Sequence, residues 1–87
     1  MSGLMNVGFG NVVNTDKIMA VILPDSAPAK RMIQKAKEQE TVIDATQGRR
    51  TRAVIITDNG HLILSSLQPD TLAGRFYEST ANKTAEE

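Results

Sequence analysis

The stretch Ala53-Val54-Ile55-Ile56-Thr57-Asp58-Asn59-Gly60-His61-Leu62-Ile63-Leu64 decides how this chain folds. Two apolar runs rich in β-branched residues flank Asn59-Gly60, and that dipeptide suits the two positive-φ positions of a type I′ turn. The stretch therefore reads as an antiparallel hairpin with Asp58 and His61 beside the turn. A two-residue loop sets Ile56 opposite Ile63 and Ile55 opposite Leu64, which places apolar cross-strand pairs on both faces. A ribbon that is apolar on both faces needs cover on both, so this hairpin belongs at the centre of the fold.

On the N-terminal side, Arg49-Arg50-Thr51-Arg52 leads directly into Ala53, preceded by a turn at Thr46-Gln47-Gly48 and a short strand over Val42 to Ala45. The clearest helix lies further upstream. Ser26 or Asp25 can cap it, Pro28 suits its first turn, and Ala29, Met32, Ile33 and Ala36 recur at the spacing of one helical face. Its other face, with Lys30, Arg31, Gln34, Lys35, Lys37 and Glu38, is an ordinary solvated surface. Before it, the apolar run Ile18 to Leu23 ends at Pro24 and reads as a buried strand, with Lys17 at its entrance after the turn Asn14-Thr15-Asp16. Residues 4–13, LMNVGFGNVV, read as one strand bent or bulged at Gly8 and Gly10.

Downstream of the hairpin, Gln68-Pro69-Asp70 opens a second, short helix with Leu72, Ala73 and Phe76 as its apolar stripe and Gly74 as its weak point. From Glu78 the chain offers no apolar group except Ala, which predicts a disordered acidic tail over residues 78–87. The order strand, strand, helix, strand, hairpin, helix gives a small strand-rich α+β domain over residues 1–77 with one main amphipathic helix.

An 87-residue chain supports one domain. With no cysteine and a single histidine, neither disulfides nor a zinc site of the usual nitrogen and sulfur ligands can reinforce so small a core, and self-association remains. No run approaches the ~18 apolar residues of a membrane span and no secretory leader is evident, so the expectation is a cytoplasmic chain with no membrane partner. Net charge is zero, yet seven of the ten basic residues fall between residues 30 and 52, while five of the ten acids lie beyond that stretch. The chain is polarised in charge along its length.

Most candidate constellations have bland explanations. Gly8-Phe9-Gly10 has Val13 where a dinucleotide fingerprint needs its third glycine, so structural glycines are the better reading. His61 beside a tight turn is a surface residue, with Ser65 and Ser66 on the following strand and no further sign of a catalytic set; no enzymatic activity, cofactor, metal or small-molecule substrate is expected. Asp58-Asn59-Gly60 has too few carboxylates for a calcium loop.

Gly48-Arg49-Arg50-Thr51-Arg52 is different. Three mutually repelling guanidinium groups within four positions contribute little to folding, and their planar forks match phosphate oxygens. The Thr51 hydroxyl can serve a neighbouring phosphate. Strand alternation from residue 49 would put Arg50 and Arg52 on one face and Arg49 on the other, so convergence requires a turn. The competing reading pairs these arginines with Asp44, Asp58 or a neighbouring subunit's carboxylates. No aromatic residue lies near the basic turn in sequence, which disfavours stacking on single-stranded bases.

Four strings, NVGFGNVV, DSAPAKRMI, IDATQGRRTRAVI and HLILSSLQPDTL, together resemble the RemA family of extracellular matrix regulators over roughly residues 4–76. The resemblance implies a bacterial transcription activator of biofilm-matrix genes, with a LytTR-like subunit assembled into a ring-shaped homo-oligomer that binds double-stranded promoter DNA. It implies DNA contacts at Arg49 and Arg50, and a further one at Lys17, where related proteins carry arginine. Arg52 joins them on the strength of the local cluster. A ring also accounts for a near-neutral subunit, because repeated weak contacts add up. Sequence preference would then arise from DNA shape and bendability. The alternative is a self-assembling scaffold whose arginines form subunit interfaces.

Overall fold

A computed structural model describes the backbone of residues 3–85 and the side chains of residues 3–78. The elements in order are β1 (Leu4–Gly8), β2 (Asn11–Asn14), β3 (Ile18–Ile22), α1 (Ala27–Glu38), β4 (Val42–Asp44), β5 (Ala53–Thr57), β6 (Leu62–Ser65) and α2 (Pro69–Ala85). The α+β reading holds. β3, β5, β6 and β4 lie side by side in one four-stranded sheet, and β1 pairs with β2 in a separate two-stranded ribbon. β5 and β6 are the inner strands, as their two apolar faces require.

The central hairpin exists, but one residue out of the expected register. Ile55 faces Ile63, Val54 faces Leu64 and Ile56 faces Leu62. The loop has three residues rather than two: Gly60 N–H donates to the Thr57 carbonyl, and Thr57 N–H donates to the His61 carbonyl. Only Gly60 has positive φ, at 87°, whereas Asn59 does not. This is the turn-plus-bulge connection in which one left-handed residue closes the hairpin. The single-residue shift decides which side chains share a face. Ala53, Ile55 and Ile63 join one buried cluster, and Val54, Leu62 and Leu64 join another.

Each cluster fills one side of the sheet. On the first, Met5 and Val7 of β1 and Leu72 of α2 pack with Ile55 and Ile63, and Phe76 and Val13 border them. On the second, Ala36 of α1 packs with Val54, Leu62 and Leu64, flanked by Ile33, Ile22 and Val42. Burying each large aliphatic side chain is worth about 1.5–3 kcal/mol, so a core without tryptophan is assembled from many such contributions. α1 begins as its sequence requires, with the Ser26 hydroxyl accepting from Ala29 N–H at 3.2 Å and Pro28 in the first turn.

The N-terminal stretch corrects its sequence reading. Residues 4–13 are not one bent strand but the two strands β1 and β2, joined at Phe9-Gly10. Phe9 has φ 53° and Gly10 φ 79°, the positive pair that the sequence had assigned to Asn59-Gly60. The C-terminal helix is longer than expected and extends to Ala85. Most of the expected acidic tail falls among residues whose side chains lie outside the described set. No helix among the described residues is long and apolar enough to cross a membrane.

Candidate nucleic-acid interface

The basic turn is built from its N-terminal side. Asp44, the last residue of β4, accepts hydrogen bonds from the Thr46 hydroxyl at 2.6 Å and the Thr46 N–H at 2.9 Å. The Thr46 hydroxyl bond, then the backbone bond, hold the Asp44 carboxyl below its usual range, helped by the charge of Lys37 and opposed by slight desolvation. Arg49 N–H then donates to the Thr46 carbonyl at 3.0 Å, closing a turn whose central residues Gln47 and Gly48 have φ 52° and 80°. A Cβ at Gly48 would meet nothing within 4 Å, so glycine is favoured there by the left-handed backbone rather than by space.

From this turn the chain runs to β5, and Arg52 N–H donates to the Ser65 carbonyl at 2.8 Å. Ser65 is fully buried, and its hydroxyl donates to the Val7 carbonyl at 2.7 Å while accepting from Leu67 N–H at 3.1 Å. One serine thus ties the end of β6 to the end of β1. That tie holds the Phe9-Gly10 turn beside the basic turn, and the Arg49 guanidinium lies over the Phe9 ring, 5.7 Å from its centroid. The expectation that no aromatic residue lies near the arginines is therefore overturned: Phe9 is 40 positions away in sequence but adjacent in space.

Arg49, Arg50 and Arg52 line one open concavity of about 410 Å³, with Ser66 as a further lining residue. The turn at Gln47-Gly48 thus brings together three guanidinium groups that strand alternation alone would have divided between faces. Thr51 is half-buried and is not among the residues lining the concavity. Among the described residues none of the three arginines forms an ion pair within the chain, so the intrachain pairing with Asp44 or Asp58 is not what they do. Three exposed, fixed positive charges around a polar hollow are a site for a polyanion.

Lys17 does not join them. Its carbonyl accepts from Asp58 N–H at 2.8 Å and its ammonium lies 3.9 Å from the Asp58 carboxylate, at the far end of β5 from Arg52. The five residues of β5 separate the two basic positions by roughly 17 Å of strand. His61 is similarly placed: its Nδ1 lies 3.0 Å from the Asn59 amide oxygen at the hairpin tip, whereas Ser65 occupies the other end of β6 and spends its hydroxyl on Val7. Sequence reading missed Phe9, Ser65 and Ser66 as parts of this region. The only signal in the sequence was an aromatic residue placed between two glycines.

Over residues 4–76, most of its length, the chain matches the family described as RemA-like, extracellular matrix regulatory protein A-like. It belongs to the RemA-like family. A relative from Alkaliphilus metalliredigens is 55% identical over 83 residues, covering 95% of this chain and 89% of its own, and carries the name "Putative regulatory protein". Relatives of the same name from Fervidobacterium nodosum and Trichormus variabilis are 54% and 52% identical, covering 91% and 95% of this chain and 85% and 94% of their own. The RemA-like chain is thus similar in sequence across nearly its whole length to proteins named as regulators.

Proposed function

We propose that this RemA-like chain is a transcription regulator that binds double-stranded DNA as a homo-oligomer through Arg49, Arg50 and Arg52, with Lys17 as an outlying contact. The observation behind this reading is the convergence on one concavity of three arginines that form no ion pair among the described residues. A near-neutral subunit gives weak attraction to DNA, so the contact must be repeated to be useful. A LytTR-like subunit assembled into a ring supplies that repetition, with identical basic turns around its rim. Lys17, too far from the arginines to grip the same phosphates, then serves a separate part of the path along the rim.

Apolar surface supports self-association. Met19, at a bulge in edge strand β3, is 68% exposed, and Leu23 and Val12 are also largely exposed. Edge strands with exposed apolar side chains invite pairing with another chain. The family is described as extracellular matrix regulatory protein A-like, and activation of matrix genes in the cytoplasm is the role we assign. Binding of a generic duplex over a salt series tests the DNA reading. An oligomer neutralising one or two phosphates per subunit gives a slope of log affinity against log salt on the order of −5 to −10, at about 0.9 per phosphate. No duplex binding at low salt would leave the scaffold reading, in which the same arginines meet carboxylates of a neighbouring subunit.

A further inference from the structure

Phe9 carries a cost that folding does not explain. It is one of three described non-glycine residues with positive φ, at 53°, in a turn position where Asn, Asp or Gly is the usual choice. The residue is 46% exposed at the tip of the β1–β2 ribbon, so it yields only part of the burial that would offset the strain. Strain of this kind persists where the surrounding structure enforces it, and it gathers at ligand-contacting positions. The enforcement is visible: the buried Ser65 hydroxyl donates to the Val7 carbonyl, two residues before Phe9, and the side chain of Asn11 donates to the Gly8 carbonyl across the turn.

The ring's surroundings say what it meets. Arg49 lies over one side of it, and the concavity lined by Arg49, Arg50 and Arg52 adjoins. An exposed apolar wedge beside guanidinium groups matches how proteins bend duplexes, with cations on the phosphates and an apolar side chain pressed into a base step from the minor groove. We propose that Phe9 is such a wedge, entering a flexible pyrimidine–purine step and locally unstacking it while Arg49 holds the adjacent backbone. This rests on the DNA-binding reading above and extends it: the site reads deformability at the step Phe9 enters, as well as charge.

The test uses the full chain and duplexes containing repeated TA steps, with 2-aminopurine replacing adenine at those steps and salt titrations alongside. Wild type should raise 2-aminopurine fluorescence on binding, the sign of an unstacked base. Phe9→Asn, which suits the left-handed turn, should keep its melting temperature within a few degrees and keep the salt slope. It should lose the fluorescence rise and bind at least about fivefold more weakly. Phe9→Leu, which keeps an apolar wedge without a ring, should retain most of the rise. The wedge is overturned if wild type binds without any rise or if Phe9→Asn retains it. A fall in salt slope in Phe9→Asn would instead make Phe9 a positioning residue for Arg49, and loss of oligomer mass would make it a subunit contact; either overturns the wedge. Failure of wild type to bind duplex at all would overturn the DNA reading itself, a result distinct from these.

Discussion

The Arg49 guanidinium lies over the ring of Phe9, 5.7 Å from its centroid, although 40 positions of chain separate the two residues. Two tight turns meet there, one at Phe9-Gly10 and one at Gln47-Gly48, each with positive φ at both central residues. The contact depends on Ser65, whose buried hydroxyl fixes the end of β1 against the end of β6.

Replacing Ser65 by alanine strands the buried Val7 carbonyl and leaves the half-buried Leu67 N–H without its partner. Such a loss costs about 1–3 kcal/mol. For a chain of this size each kcal/mol lowers the melting temperature by about 4–8 °C. Thermal unfolding of Ser65→Ala should therefore show a drop of at least several degrees; an unchanged midpoint would mean that the tie is dispensable.

Asp58 sits 3.9 Å from the Lys17 ammonium, with both side chains more than half exposed, so as an ion pair it contributes little to stability. Towards DNA it is a nearby negative charge that competes with phosphate for the lysine. Asp58→Asn is expected to tighten duplex binding about two- to tenfold at low salt and to leave melting almost unchanged. Weaker binding by Asp58→Asn would argue that Lys17 needs its carboxylate to be positioned.

Gly74 lies within α2 away from left-handed backbone, and a Cβ there would meet nothing within 4 Å. Gly74→Ala should stabilise the chain by about 0.5–1 kcal/mol through helix propensity alone. Gly60→Ala should do the opposite, because at φ 87° the strain of a side chain outweighs the open space around it. A pair of denaturant titrations separates the two signs.

The Asp44 carboxyl gives the basic turn an acid limit. Its pKa is lowered in the folded chain, chiefly by the Thr46 hydroxyl. A depressed carboxyl contributes stability that is present above its unfolded pKa and is lost as pH falls through its folded value. The window therefore lies below about pH 4. An NMR titration should place the Asp44 midpoint below the ordinary aspartate value, and Thr46→Val should move it upward.

The sequence disclosed the elements better than their junctions. Asn59-Gly60 marked the central hairpin, but a dipeptide cannot distinguish a two-residue loop from a three-residue one. The register was settled instead by which faces the Ile55–Ile63 and Val54–Leu64 pairs fill. The β1–β2 turn stayed hidden because a phenylalanine at positive φ runs against local preference. The arginines stood out by composition and charge, whereas their convergence depends on a Gln47-Gly48 turn and a Ser65 tie between strands 58 residues apart. Contacts of that range leave no local periodicity to read.

The most direct measurement is of the Arg49→Ala, Arg50→Ala double variant, with duplex binding by fluorescence anisotropy and oligomer mass by light scattering on the same sample. The double variant should keep wild-type mass and lose binding by at least about a hundredfold at moderate salt, because repeated phosphate contacts disappear together. A variant that falls apart into smaller species, or that binds duplex as wild type does, would contradict the DNA-binding reading.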